Sequence, residues 1–455
     1  MLNNCKNFNY ILYLCNPYQL TKLMKQLLFT LVFVGFSVGL KAQKAPTAQE
    51  EIQIDIHKSA SNLLAYPGPQ QAQLTDAPEG KKPFYISHYG RHGSRFLVDK
   101  KDYSDPRHVL AKADSLGKLT PLGKDVLRRV TILGDEAYNR WGELTPLGAR
   151  QHHQIAKRMY ERFPEVFAGD VYIDAKSTVV IRCILSMENE LLELLTKNPN
   201  LRIRHDASKF DMYYMNFQDQ KLRSQRRDSA ITAMIQEYVN QYDHSGLLME
   251  KLFNDAEYVR EKVDAKKLTG NLFKLAGSIQ NTESRKKITL YDLFSDEEIY
   301  DYWRLQNISW YINYGACPLN GGKQPYSQRN LLRKIIEEAD SCIRLDCPGA
   351  TLRFGHETMV LPLTCLMELD NYGLQTDNLE SLERKGWVNF RVFPMGANIQ
   401  LVFYRENPQD KDVLVKVLLN ENEVRLPVKS EEEPYYKWNV VRDYYLKKLD
   451  AYQEN

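Results

Sequence analysis

The 455-residue chain has only seven cysteines and no CxxC pair, which argues against a cysteine-built zinc site. Cys5 and Cys15 fall in the first 42 residues. The other five, Cys183, Cys317, Cys342, Cys347 and Cys365, are too few and too odd in number for a disulfide framework. One bridge, such as Cys342–Cys347, is compatible with an oxidising compartment, but the spacing does not dictate it. Long apolar runs are also scarce. The one candidate, Leu27–Leu40 (LLFTLVFVGFSVGL), is charge-free but short of the ~20 residues that span a bilayer. With Lys25 before it and Lys41-Ala42-Gln43 after it, it reads as a secretory signal peptide over 1–42, cleaved after Ala42. Met24 is then the natural start and 1–23 an upstream extension; the alternative is a retained membrane anchor. The mature chain is expected to be secreted or periplasmic, with no stable membrane insertion.

Neither sign of charge dominates. Lys and Arg number 61 against 58 Asp and Glu, a formal charge of +3. The leader holds Lys6, Lys22, Lys25 and Lys41 and no acid, so the remainder carries 57 against 58. No nucleic-acid footprint is expected, and any anion must be gripped by a local cluster of charge. At 43% hydrophobic and 26% charged the chain is globular rather than disordered, collagenous or coiled-coil. Its length allows about three domain-sized units at ~150 residues each, fewer if one α/β body dominates.

Along the chain, Gln43–Lys82 is rich in Ala, Pro and Gln and reads as an extended lead-in. Lys82–Ser87 reads as a buried strand ending in a loop at Gly90. The pentapeptide Leu-Thr-Pro-Leu-Gly occurs at 119–123 and 144–148. In each copy the threonine suits a helix N-cap and the proline the first helical position. Val171–Asp174 reads as a strand, followed by a helix opened by Ser177-Thr178 and running through Leu195. From about 210 to 340 the pattern is helical, as in SAITAMIQEYVNQY and QRNLLRKIIEEADSCI. Strand character returns at Ala350–Phe354, Trp387–Phe393 and Asn398–Tyr404. A hairpin is expected from Val413–Leu419 and Val424–Leu426, and a closing helix over Tyr435–Leu449. The expected fold is α/β: a Rossmann-like sheet core with helices on both faces, from 43–205 and 341–455, carrying a mainly helical cap inserted at 206–340.

Three signals carry chemistry. Gly90-Arg91-His92-Gly93-Ser94-Arg95 directly follows a strand. Two guanidinium forks suit phosphate oxygens, and a neutral imidazole between them is a nucleophile. Nearby positive charge favours its neutral form. Arg353-Phe354-Gly355-His356-Glu357-Thr358 also follows a strand. If the two strands are neighbours, both loops share the carboxyl edge where open α/β sheets build their sites. A histidine there can bind phosphate, and an adjacent carboxyl can protonate a leaving oxygen. Arg182, just over one turn into the helix after Ser177-Thr178, adds a third guanidinium near a helix N-terminus.

In order along the chain, RHGSR at 91–95, LTPLGxxQ at 144–151, STxxxRxxxS at 177–186 and GHET at 355–358 together resemble the histidine acid phosphatase branch of the histidine phosphatase superfamily. FGHET-MVLPL and Pro394-Met395-Gly396-Ala397-Asn398 look most like the multiple inositol polyphosphate phosphatases and their bacterial relatives. The resemblance implies His92 as the nucleophile forming a phosphohistidine. It implies Arg91, Arg95, Arg182 and His356 as phosphate ligands and Glu357 as the general acid. No cofactor and no metal are implied. The expected partner is a small, polyanionic phosphomonoester such as inositol hexakisphosphate. Two positions depart from the pattern. The inositol polyphosphate group usually has its acid two places after the histidine, where this chain has Thr358; Glu357 instead takes the slot of the aspartate in His-Asp members. Val179 and Ile181 stand where acid phosphatases commonly have Asp.

Other motifs are weaker. Asn320-Gly321-Gly322-Lys323 lacks the Ser/Thr and spacing of a phosphate loop. His152 and His153 point about 100° apart on a helix, so one faces inward and the other outward. His88 either lines the pocket or packs in the core. Asn307-Ile308-Ser309 is a sequon. The basic residues from Lys100 to Arg129 either attract a polyanion or form a solvated face with interleaved acids. Two other readings compete with the hydrolase: a catalytically weak module that binds phosphorylated ligands, and a phosphomutase, against which the leader argues.

Overall fold

The computed structural model describes residues 46–67, 71–226 and 228–453. The expected leader, with Cys5 and Cys15, lies outside them. Among the described residues no helix is long and apolar enough to cross a membrane.

Among the described residues eight strands form one mixed sheet: β1 (Lys82–Arg91), β2 (Tyr172–Ser177), β3 (Arg202–Asp206), β4 (Gly349–Gly355), β5 (Asn398–Arg405), β6 (Leu414–Leu419), β7 (Asn422–Glu423) and β8 (Tyr436–Lys437). Their order is β3-β2-β4-β1-β5-β6-β7, with β8 also on β6. β3, β2, β4 and β1 run parallel, whereas β5 and β6 are antiparallel to their neighbours. β4 and β5 are buried along their whole length, as central strands covered on both faces must be. On one face, Tyr85, Tyr89, Leu401 and Phe403 pack with the Arg329–Cys342, Glu357–Leu366 and Trp438–Asp450 helices. On the other, Ile86, Leu352 and Val402 meet the Pro146–Arg162 and Ile181–Lys197 helices. The α/β architecture with helices on both faces is therefore as expected.

A separate apolar cluster joins the Lys101–Ser115 and Pro121–Glu136 helices, through Leu110, Val126 and Leu133, to Leu248, Leu272, Phe273 and Trp303. The basic stretch 100–129 lies on these two helices and the turns beside them, and part of it is paired with acids inside and outside the stretch. Arg129 bridges Asp125 and Asp292, Lys118 meets Asp255, and Asp105 meets Lys267.

Three local expectations are corrected, and the open disulfide question is answered. The lead-in is not wholly extended, because Thr47 caps a helix over Ala48–Ile54 with a full capping box, and a 3-10 stretch follows over Ile56–Leu63. Trp387–Phe393 is not a strand but surrounds a 3-10 turn, Asn389–Arg391. Its β-forming residues are buried by packing, with Trp387 against Tyr311 and Phe393 against Trp310. The second arm of the hairpin is only Asn422–Glu423, with Val424 N–H donating to Val417. Cys342 and Cys347 are both free thiols. In addition, Asn307 of the sequon is buried and its amide donates to Trp387 O, which closes it to glycosylation.

The two Leu-Thr-Pro-Leu-Gly copies solve one docking problem twice. Thr120 and Thr145 cap their helices, accepting from Gly123 and Gly148 N–H, with proline first in each. Each threonine N–H also donates to the carbonyl of another segment, Thr120 to Leu252 and Thr145 to Ser94. Leu119 and Leu144 form bridges to the next residues, Phe253 and Arg95. The glycine lets the helix close on that carbonyl. A Cβ at Gly123 would lie 2.2 Å from Leu252 O, and one at Gly148 2.3 Å from Ser94 O. Gly148→Ala is therefore expected to cost about 1–3 kcal/mol, read from the denaturation midpoint. Gly246→Ala, where a Cβ meets nothing within 4 Å, should change it little. Equal effects of the two substitutions would contradict this packing.

Candidate active site

The register of the central strands assembles the site. Arg91 at the end of β1 pairs with Gly355 of β4, and Phe354 of β4 pairs with Ser177 of β2. The residues that follow, His92, His356 and Thr178, leave the sheet together at its carboxyl edge. Backbone hydrogen bonds tie the exits: His92 N–H to Gly355 O (3.0 Å), Thr178 N–H to Phe354 O (3.0 Å) and Arg91 N–H to Ala397 O (2.7 Å). The 394–398 segment closes the other side, with Gly396 N–H donating to His92 O (2.9 Å).

The loop after β1 is held by the motif residues around it. Gly93 N–H donates to Ser186 Oγ (3.1 Å), Ser94 N–H to Gln151 Oε1 (2.8 Å) and Ser94 Oγ to Asn281 Oδ1 (2.6 Å). A Cβ at Gly93 would lie 2.5 Å from Gly148 O. Gln151 and Ser186 close two of the quoted motifs and act here as supports for the loop backbone.

Arg91 and His92 have no exposed surface. The Arg91 Nη1 donates to Asn62 O (2.7 Å) and Phe393 O (2.6 Å), and its Nε faces Glu357 Oε2 at 3.1 Å. Arg95 Nη2 lies 4.0 Å from Glu357 Oε1, and Asn62 Nδ2 donates to that same oxygen (3.2 Å). His92 Nδ1 donates to Gly93 O (2.9 Å). This fixes the tautomer and leaves the Nε2 lone pair free, 3.7 Å from Glu357 Oε2. His356 Nε2 lies 3.3 Å from Thr178 Oγ1, and its ring meets that of His92 edge-on at 5.7 Å. Arg182 is the second residue of the Ile181–Lys197 helix rather than a full turn inside it. Val180 caps that helix without a side-chain bond, and Arg182 Nη1 donates to Gly142 O (3.3 Å). All six residues singled out in the sequence thus meet at one sheet edge. Asn62 and Phe393 were not anticipated. Both use backbone carbonyls, which no residue type announces; only the Asn62 amide has a side-chain signal, and it lies in the lead-in.

Burial, reinforced by the Arg91 and Arg182 charges, holds His92 well below the usual imidazole range. Burial and the three guanidiniums bring His356 down to about 4. For Glu357, burial acts upward but the Arg91 and Arg95 charges outweigh it, so its carboxyl lies well below the usual range. Glu357 is also the first residue of its helix, where the dipole favours an anion. Three guanidiniums and one carboxylate around neutral imidazoles leave two net positive charges. Arg91 Nη2, Arg95 Nε, Arg182 Nε and His92 Nε2 are buried without hydrogen-bond partners among the described residues. Three buried guanidinium donors of this kind beside a free imidazole lone pair mark a ligand seat, and their forks suit the oxygens of a tetrahedral oxyanion. His92, His356 and Glu357 also offer ligand atoms within 4.8 Å of one another, but the surrounding arginines favour an anion over a cation there.

The remaining histidines lie apart. His88 is buried beneath Gly90 and packs on Phe354. His152 points inward onto Glu190 (2.7 Å) and half-buried His153 outward onto Glu193 (3.2 Å). Asn320–Lys323 is a turn at the end of a 3-10 stretch.

The family model described as histidine phosphatase superfamily (branch 2) matches residues 90–420, and the chain belongs to that family. Among solved structures, it is similar to the multiple inositol polyphosphate phosphatase of Bifidobacterium longum. In complex with inositol hexasulfate, that protein gives a TM-score of 0.72 at 17% identity, covering 84% of this chain and 96% of that one. In complex with phosphate it gives 0.69 at 17%, covering 86% and 98%. The phytase from D. castellii gives 0.66 at 14%, covering 91% and 90%. At these identities the likeness is one of fold. No curated protein sequence matches the chain.

The electrostatics predict that His356 titrates near pH 4 and His92 well below 6.5, measured by imidazole nitrogen NMR. Titration of either ring above pH 6 would contradict the site described.

Proposed function

We propose that the chain is an exported phosphomonoesterase that works through a phosphohistidine on His92. The observation that supports it best is the free Nε2 lone pair of a buried, neutral imidazole, set among guanidinium donors that have no protein oxygen to satisfy them. In this reading Arg91, Arg95, Arg182 and His356 hold the phosphoryl oxygens. Nε2 attacks phosphorus, the P–N bond forms, and the ester P–O bond breaks. The leaving oxygen takes its proton from Glu357. Water then attacks phosphorus and gives a proton to the Glu357 carboxylate, the P–N bond breaks, and phosphate leaves. Inositol polyphosphates are the candidate polyanionic substrates, as one structural relative, seen in two complexes, is a phosphatase of that class.

Glu357 must be protonated to donate, yet it is held ionised by the arginines that the phosphate needs. The two demands meet in one exchange. A phosphate dianion displaces the carboxylate from Arg91 and Arg95, and its negative charge then raises the carboxyl's pKa. The second reading, a module that binds phosphorylated ligands without turnover, draws on the same contact: if Glu357 never leaves Arg91 (3.1 Å), binding and proton donation do not couple.

His92→Ala should lower phosphate release by roughly 10³-fold or more, and rapid quenching of wild type with labelled substrate should trap phosphate on His92. Glu357→Gln should slow alkyl phosphates by roughly 10²–10⁴-fold and p-nitrophenyl phosphate far less, because that leaving group needs no proton. Normal turnover in His92→Ala would refute the nucleophile. Ligand binding without phosphate release in wild type would favour the binding module.

The pH profile follows from the same groups. His92 stays neutral well below its ordinary value, so activity should persist on the acid side. It should fall on the alkaline side as Glu357 in the complex loses its proton, which puts the optimum below pH 7. A flat profile from pH 4 to 8 would count against Glu357 as donor, and loss of activity on chelation would refute a metal-free route.

A further inference from the structure

A cavity of about 450 Å³ opens beside the phosphate clamp and shares Asn62 and Arg95 with it. Both residues touch Glu357, so a group leaving the phosphorus on that side passes into this space. Its rim also reaches the third guanidinium, since Val98 Cγ2 and Arg182 Nη1 both lie within 3.6 Å of one point above Gly142.

The walls are not those of a second anion site. Leu63, Leu97, Val98, Phe273 and Leu305 supply apolar surface. Phe273 and Tyr302 form a tilted pair with centroids 4.8 Å apart. Beyond Arg95, which faces the clamp, the charged lining is Lys274, Asp99 and Asp102. Lys274 is spent on Asp102 at 2.6 Å, leaving Asp99 to oppose a second phosphate. A neutral-to-acidic apolar wall with an aromatic pair suits a flat, uncharged group.

We infer that this cavity is a leaving-group subsite, selecting phosphomonoesters whose alcohol carries a flat apolar face, of which an aryl phosphate is the simplest. The inference rests on the phosphatase reading above and narrows its substrate class away from fully phosphorylated inositol.

Gly270 provides the test. It lies in the Ala265–Ile279 helix, lines the cavity, and a Cβ there meets nothing within 4 Å. A phenylalanine side chain can therefore occupy the space the ligand would use. Phenylphosphonate and methylphosphonate, neither of which can be hydrolysed, are titrated into the full chain by calorimetry. Wild type should bind phenylphosphonate at least tenfold more tightly than methylphosphonate, and Gly270→Phe should erase the difference. Val98→Lys, at a half-exposed rim position, should shift preference from phenyl phosphate toward inositol hexakisphosphate by a similar factor. Equal binding of the two phosphonates by wild type, or a preference untouched by Gly270→Phe, would overturn the subsite. Absence of phosphate release from every ester, with the phenylphosphonate preference intact, would instead sink the phosphatase reading, and the leaving-group role with it, leaving only an apolar binding pocket beside the clamp.

Discussion

Arg91 carries a full positive charge in a place with no exposed surface. An unanswered ion there would cost several kcal/mol, so the chain must bring oxygens to it. It does so from three distant segments: the carbonyls of Asn62 and Phe393, and the carboxylate of Glu357. The lead-in, β1, the 393–398 segment and the end of β4 are all committed to positions around this guanidinium. The sheet register that sets Arg91 opposite Gly355 makes the carboxylate contact available. The glycine contacts between the 91–95 loop and the Pro146–Arg162 helix then fix the direction in which the loop leaves the sheet.

Burial acts in opposite directions on the two kinds of titratable group in the site, whereas the arginine charges lower both. Burial and charge together keep the imidazoles neutral, which preserves a lone pair on His92. For Glu357 the arginines overcome burial and keep the carboxylate ionised. The three guanidiniums thus face an internal anion, and in the proposed mechanism an incoming phosphate takes the place of the Glu357 oxygens at Arg91. A dianion must exchange with that carboxylate, which makes phosphate binding and proton loading of Glu357 one event in the proposed mechanism.

What the sequence discloses depends on how each contact is made. Side-chain chemistry in loops after strands, at 91–95 and 355–358, is readable because strand, glycine and charged residues fall in order. The threonine caps at 120 and 145 are readable because capping needs a specific side chain and proline has few other helical positions. Contacts through main-chain carbonyls leave no trace, and so Asn62 and Phe393 were missed. Trp387–Phe393 has the composition of a strand, yet β propensity reports packing more than backbone preference, and here the apolar residues are buried around a turn. The docking role of the Leu-Thr-Pro-Leu-Gly copies was equally hidden, because the partner carbonyls of Leu252 and Ser94 lie far away in sequence or on another element.

In the proposed mechanism, substrate binding and proton loading both depend on the exchange of Glu357 for an oxyanion at Arg91. Sulfate is a suitable probe because it is not hydrolysed and keeps its charge across the range of interest. Its binding to wild type and to Glu357→Gln is followed by calorimetry between pH 5 and 7 in buffers of different ionisation enthalpy, which reports the protons taken up. Wild type should take up more protons than Glu357→Gln, the difference approaching one per sulfate toward pH 5. Identical proton uptake by the two proteins would mean that the carboxylate stays where it is, contradicting the central claim.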